Sequence, residues 1–315
     1  MTLIKQAIAK QEAKLIMPTE AQFIDLSRNP DSGTVVCALE GNEVGFIDPS
    51  LAVATKTHGI VDKYGDALEF KKIQGLAGNM ILATNLQVAK LLRAGESGLV
   101  VEKSWDLLSE KSTANALGVN ADSKGNVKAV SEVDYLHVLA ADGTKKTVHD
   151  PDNYFWGIAV SASGNYVANG RKDGTVEVRD SGNLQANERY EGLTAEALAL
   201  AFSPDERYLV AADDRAACVL WDRQTKKAVI IPGCSKIIGI FWMSDGSGFI
   251  SVCLPREVNF IDLEDLYSRN SQEFCLPAFH LDPYGPLYIQ SAVLRDDANL
   301  FVFVEKCGVV HIKLG

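Results

Sequence analysis

The sequence is poor in the residues that most often build a catalytic or metal-binding centre. It has only five histidines, and no two of them stand at the spacing of an HxH or HExxH zinc motif. None of its six cysteines forms a CxxC pair, and Cys37, Cys218 and Cys253 lie in apolar runs where cysteine acts as a small hydrophobic residue. We therefore expect no disulfide framework, no metal ion and no cofactor.

The motifs of common enzyme classes are also missing. The chain contains no GxSxG elbow, no GxGxxG loop and no GxxxxGK[ST] loop. Two Asp-Asp pairs are present, Asp213–Asp214 and Asp296–Asp297, but aspartates in pairs between apolar runs are typical of tight turns. The sequence favours a protein that is not an enzyme, with acid–base work by these pairs as the alternative.

Long apolar runs and excess positive charge are absent too. No stretch approaches the ~18 apolar residues of a membrane-spanning helix, and Lys5, Lys10, Glu12 and Lys14 interrupt the apolar residues of segment 1–20. The net charge of −10 opposes general binding to nucleic acid. With 47% apolar residues in 315, the chain can bury a large core. We expect a soluble cytoplasmic or nuclear protein without membrane insertion.

What the sequence has is a repeated pattern of short strands. Apolar runs of four to six residues alternate with polar turn clusters such as SPDE and SDGSG, which indicates antiparallel strands. Three consecutive units, 157–180, 197–222 and 237–262, each read as strand, turn, strand, turn, strand. They start 40 residues apart, and each ends on an aspartate: Asp180, Asp222 and Asp262.

Weaker copies extend the repeat over the whole chain. The seven units start near residues 23, 68, 115, 157, 197, 237 and 289. A period near 40 that recurs seven times is typical of a β-propeller. We predict one all-β domain over residues 1–315, a seven-bladed propeller of four-stranded antiparallel blades. A pair of β-sandwiches is the alternative, although it predicts no steady repeat.

Two segments of the clearest unit resemble WD repeats. Phe202–Asp205 is similar to the turn after the first strand of a WD repeat, and Leu220–Asp222 is similar to the end of its third strand. The chain departs from the family because no unit has the Gly-His pair before its first strand, and only one unit has Trp-Asp at its third-strand end. The aspartate–histidine hydrogen-bond network of regular repeats should therefore be mostly absent. The resemblance implies a protein-interaction scaffold within a larger multiprotein assembly.

The two ends of the chain predict how the ring closes. The last unit stops after its third strand, while residues 13–18 form an orphan strand before the first unit. Pairing of residues 13–18 with Gly308–Lys313 would complete the last blade and leave no open edge. A frayed arm is the alternative. The alternation of Trp221 with Val219 further predicts that both side chains share a buried strand face.

Two features are candidates for partner binding. The first is the insertion 263–288, whose prolines stiffen it and whose aromatic residues suit an interface: Phe274, Phe279 and Tyr284. The second is a recurrence of cations between second and third strands, with two aromatic residues before unit four: Arg171, Lys172, Arg215, Arg256, Lys306, Phe155 and Trp156.

These candidates leave several interpretations open. Turns at one position of a propeller blade share a face, so the cations would form a basic patch for an acidic or phosphorylated segment of a partner protein. The alternatives are that the insertion only supplies an outer strand, that the turn cations bind nothing, or that carboxylates at the channel make the protein a hydrolase.

Overall fold

The repeated strand pattern folds into four-stranded antiparallel sheets. The computed structural model describes residues 12–18, 25–39, 43–57, 60, 70–85, 88–95, 98–107, 118–232, 236–254, 257–268, 278–280 and 289–314. Within these ranges, seven sheets form seven blades. The prediction of a seven-bladed propeller of four-stranded blades is therefore confirmed.

The strands are numbered β1 to β28 in chain order, and the four positions in each blade are called a to d from the centre outward. The a strands are β2 (Asp25–Arg28), β6 (Lys72–Leu76), β10 (Gly118–Ala121), β14 (Ile158–Val160), β18 (Ala197–Phe202), β22 (Ile237–Trp242) and β26 (Ile289–Asp296). The b strands are β3 (Val35–Ala38), β7 (Met80–Thr84), β11 (Lys128–Ser131), β15 (Tyr166–Gly170), β19 (Tyr208–Asp213), β23 (Gly248–Cys253) and β27 (Asn299–Val304). The c strands are β4 (Glu43–Ile47), β8 (Val88–Gly95), β12 (Tyr135–Leu139), β16 (Val176–Asp180), β20 (Cys218–Asp222), β24 (Glu257–Asp262) and β28 (Gly308–Lys313). The d strands are β5 (Val53–Thr57), β9 (Gly98–Asp106), β13 (Lys145–His149), β17 (Ala186–Tyr190), β21 (Ala228–Ile230), β25 (Ala278–His280) and, in the last blade, β1 (Glu12–Pro18).

The a strands contact one another in a closed cycle, so they surround a central channel. Side chains reinforce the cycle where the last blade meets the first two. Ser291 Oγ donates to Asp25 Oδ1 over 3.2 Å, and the Ile73 amide donates to Asp25 Oδ2 over 2.8 Å. Three neighbouring a strands are thereby linked through one buried carboxylate.

The ring closes through its N-terminal strand. β1 pairs antiparallel with β28, from Glu12 opposite Lys313 to Pro18 opposite Gly308. The Met17 side chain is buried in the apolar cluster between the last and first blades. The predicted pairing of residues 13–18 is confirmed, and the frayed arm is excluded.

The hydrophobic core lies between the blades. Each of the seven apolar clusters formed by the described residues joins two neighbouring sheets. Trp221 and Val219 are buried together in the cluster between the fourth and fifth blades, as predicted. Cys37, Cys218 and Cys253 are buried in such clusters or beside them, where their thiols act as small apolar groups.

The aspartates that mark the repeat have a local structural role. Asp180 Oδ1 accepts from the amides of Gly182 and Asn183, and Asp222 Oδ1 accepts from those of Gln224 and Thr225. Such contacts satisfy the amides of the tight turn between c and d strands. The sequence period therefore marks a turn that every blade must make.

Asp262 also accepts a hydrogen bond from a backbone amide after its c strand, but it precedes a helix instead of a tight turn. Its Oδ1 accepts from the Asp265 amide over 2.9 Å and so caps the short helix α1 (Leu263–Ser268). The insertion 263–288 thus contains α1 and the outer strand β25. No helix in the described ranges is long and apolar enough to cross a membrane.

Candidate protein-binding face

Antiparallel order places successive turns at opposite ends of a blade. The b–c turns, such as residues 171–175 and 214–217, therefore share one face with the connections between blades, such as 150–157. We call this the b–c face. The opposite face carries the a–b and c–d turns, such as residues 30–33, 203–207 and 243–247, and is called the a–b face.

The connection 150–157 is held firmly on the b–c face. The Phe155 amide donates to the Val133 carbonyl over 3.0 Å, and the Phe155 side chain is fully buried between the third and fourth blades. Asn153 is also buried, and its Oδ1 accepts from the Lys172 amide over 2.7 Å. The connection is therefore tied to both adjacent b–c turns, to one through its backbone and to the other through the Asn153 side chain.

Two aromatic side chains project from this anchored connection. Tyr154 is 36% exposed and Trp156 is 40% exposed. Lys172 Nζ lies 4.8 Å from the centre of the Tyr154 ring, which is a cation–π distance. Trp156 also lines a cavity of about 230 Å³ at this end of the channel, together with Leu198, Ile238 and other residues of the a strands.

The structure gives the sequence candidates in this region different roles. Arg171 is engaged inside the protein, with Nη1 2.8 Å from Asp150 Oδ2 and 3.4 Å from Glu177 Oε1. It therefore fastens the b–c turn to the connection. Phe155 is buried beneath the connection, whereas Tyr154, Trp156 and Lys172 are exposed to solvent.

Arg215 lies in the next b–c turn, beside a strongly hydrogen-bonded carboxylate. Asp213 is fully buried and accepts from the amide and hydroxyl of Thr194 and from the amides of Ala195, Arg215 and Ala217, at 2.7–3.0 Å. Thr194 thus supplies a side-chain donor to this turn aspartate. Burial opposes ionisation, but the hydrogen bonds outweigh it and lower the pKa of Asp213.

We expect Asp213→Asn to lower the free energy of unfolding by about 1–3 kcal/mol at pH 7, because all five donors lose a charged acceptor and at least two of them would face the amide NH2 group instead of an oxygen. The depressed pKa stabilises the fold above the unfolded-state value of about 4, and this contribution is lost as the pH falls through the folded-state pKa. The variant should lack this part of the acid dependence. Urea denaturation at neutral and acidic pH measures both effects. If the free energies of unfolding of the variant and the wild type changed in parallel with pH, the role given to the Asp213 carboxylate would be contradicted.

The remaining candidates are distributed around the ring. Lys306 is exposed in the b–c turn of the last blade, with a φ of 54°. Phe279 lies in β25, opposite Val258 of β24. Arg256, Phe274 and Tyr284 lie outside the described residues.

The carboxylate pairs mainly shape turns. Asp297 Oδ1 accepts from the Ser244 amide over 2.9 Å, and Asp296 Oδ1 accepts from the Ala298 amide over 3.0 Å. In the described part of the chain, no three histidine, cysteine, aspartate or glutamate side chains lie together as a metal site would require. Glu132 and His137 form a buried pair, with Oε2 3.7 Å from Nε2.

Sequence reasoning missed two features. Tyr154 was not singled out, although the run Tyr154–Trp156 places three aromatic residues in a polar connection. The a–b end of the channel was not found either, because residues from six blades form it and no local motif marks it.

Solved structures share this fold. A chain from a crystal structure of the mitotic checkpoint complex matches with a TM-score of 0.74 at 12% identity, covering 96% of this chain and 90% of that chain. The WD40 domain of Pan2 from Neurospora crassa matches with a TM-score of 0.69 at 12% identity, covering 94% and 89%. The fold is therefore the β-propeller of WD40 domains. No protein-family model matches the sequence, and no curated protein matches it.

Proposed function

We propose that this propeller is a non-catalytic scaffold that binds a segment of a partner protein on its b–c face, at Tyr154, Trp156 and Lys172. The observation that carries the proposal is the pair of exposed aromatic side chains on a connection whose backbone is anchored. Rigid aromatic side chains offer a large contact area and lose little entropy on binding. The WD40-type fold of the solved neighbours is consistent with such a role.

We further propose that the partner segment carries an acidic or phosphorylated group, which contacts Lys172. Lys172 is exposed beside Tyr154, while Lys306 and Arg215 are also exposed on the same face. Arg171 adds little attraction, since Asp150 and Glu177 already surround its guanidinium group. A contact with Lys172 should therefore be weak by itself and should add selectivity to the aromatic contact.

The double variant Tyr154→Ala/Trp156→Ala should lose its partner and keep its fold. Removal of interface aromatics typically costs at least about 2 kcal/mol, which corresponds to roughly thirtyfold weaker binding. Exposed positions should change the free energy of unfolding by only about 0.5 kcal/mol. Affinity purification from the native cell with quantitative mass spectrometry, together with melting curves, measures both effects.

Tyr267→Ala is the matched control, because Tyr267 is a 49% exposed aromatic residue on the a–b face. Proteins lost with the double variant should be retained with this control. Retention of every partner by a correctly folded double variant would refute the proposal.

The Lys172→Glu variant tests whether the partner segment carries an acidic group. The variant should bind the partner more weakly than the wild type, and wild-type binding should weaken as salt is added.

A further inference from the structure

The a–b end of the central channel opens into a cavity of about 980 Å³. Its apolar wall comes from the ends of the a strands and includes Val160, Phe202, Phe241, Trp242 and Leu294. The cavity is several times larger than the one beside Trp156 at the other end. Its size is within the range of sites that hold small molecules or short peptide segments.

Trp242 is fixed at the edge of this cavity. Its indole ring stacks on Tyr208, with ring centres 6.2 Å apart and planes 17° apart, and its Nε1 donates to the Ala201 carbonyl over 3.4 Å. Phe249 packs against it at 5.2 Å. Because Trp242 remains partly exposed, a preformed aromatic surface borders the opening.

Three carboxylates lie in a–b turns at this end of the channel. Asp31 and Asp297 line it, and Asp245 follows Trp242 in the next turn. Hydrogen bonds from Ser247 lower the pKa of Asp245, so this group stays charged. No described cation lies within ion-pair distance of these three carboxylates.

Hydrogen bonds within the protein orient the carboxylates of Asp31 and Asp297, but these carboxylates can still accept further hydrogen bonds. Asp31 Oδ2 accepts from the Gly78 amide over 2.8 Å, and both oxygens of Asp297 accept from Ser244. A carboxylate has about four acceptor sites, so each can bind a further donor.

Two arginines also line the cavity, and the protein itself engages both. Arg295 pairs with Asp296, Nε to Oδ2 at 3.0 Å, and lies over the Phe301 ring. Arg28 donates through Nη1 to the Arg295 carbonyl. The a–b end of the channel therefore combines three carboxylates that have no ion-pair partner among the described cations with two arginines that the protein itself binds.

We infer that this cavity is a second binding site, for a basic segment of a partner protein in which lysine or arginine alternates with apolar residues. The cations of the segment would contact Trp242 and the carboxylates of Asp31, Asp245 and Asp297, while an apolar neighbour contacts the wall at Phe202 and Leu294. Aromatic faces and carboxylates both attract cations. The net charge of −10 favours the approach of such a segment. This site is independent of the one proposed on the b–c face.

A short fluorescent peptide of alternating lysine and leucine is the probe, and its anisotropy measures binding to the full chain. The triple variant Asp31→Asn, Asp245→Asn and Asp297→Asn should bind it at least about tenfold more weakly, and wild-type binding should weaken as salt is added. The control is Asp152→Asn, Glu191→Gln and Glu196→Gln, which removes the same charge from the b–c face. Equal effects of the two triple variants would overturn the inference, because they would show attraction by overall charge.

A photoreactive version of the peptide locates the site. Cross-links should fall within residues 240–245 or 294–297, whereas cross-links to residues 150–157 would overturn the inference. If the peptide did not bind a correctly folded wild-type chain, the inference would also be overturned, and the proposal for the b–c face would be unaffected.

Residues 1–11 carry Lys5 and Lys10 and no acidic residue. Tenfold tighter peptide binding after their deletion would assign the cavity to this segment and overturn the external partner.

Discussion

Deletion of residues 1–18 should lower the melting temperature by at least about 5 °C. The deletion removes β1, its pairing with β28 and the buried Met17 side chain. It also exposes the backbone edge of β28, which can pair with other chains, so we expect self-association as well. Thermal denaturation followed by circular dichroism measures the first effect, and size-exclusion chromatography measures the second.

Deletion of residues 1–11 is the matched control, since it leaves β1 complete from Glu12. This shorter deletion should melt like the full chain. If removal of residues 1–18 left the melting curve unchanged, β1 would contribute nothing to closure. If both deletions lowered the melting temperature equally, the stabilisation would come from residues before β1.

Trp221→Ala should lower the free energy of unfolding by about 3–5 kcal/mol, as expected for a large-to-small change in a core. Trp221 is 2% exposed, and its ring centre lies 5.4 Å from that of Tyr190. Its Nε1 donates to the Glu191 carbonyl over 3.0 Å. The substitution would open a cavity between the fourth and fifth blades, and urea denaturation measures the loss.

Two further tryptophan variants separate the contributions of ring volume, hydrogen bonding and burial to the loss of stability. Trp221→Phe keeps an aromatic ring but loses the donor and part of the volume, so its cost should be smaller than that of alanine. Trp156→Ala removes an exposed ring and should cost less than about 1 kcal/mol. A cost below about 1 kcal/mol for Trp221→Ala would contradict the buried position of β20.

Much of the fold was predictable because its determinants are local and repeated. An apolar run followed by an aspartate reports one strand and the turn after it, as Asp180 and Asp222 show. Three clear units of this kind and four weaker copies of the strand pattern then predict a ring. The closing strand was predictable as well, because the last unit lacked a fourth strand and residues 13–18 lacked a partner.

Only the position of the cations on the b–c face was predictable from the sequence. The period places Arg171, Arg215 and Lys306 in equivalent turns, and the structure has them there. Their availability depends on residues far away in the sequence. Arg171 is held by Asp150, which precedes it by 21 residues and belongs to another connection. A repeat pattern contains no information about such a contact.

The sequence by itself determined the number of blades, the order of strands and the way the ring closes, since each follows from local periodicity and the need to pair strand edges. Only the tertiary structure decided which side chains are exposed. Phe155 and Trp156 are adjacent, yet one is fully buried and the other is 40% exposed, because the third and fourth blades enclose only the first. The cavity beside Trp242 likewise exists because six blades converge there, and burial of this kind is set by neighbours distant in sequence.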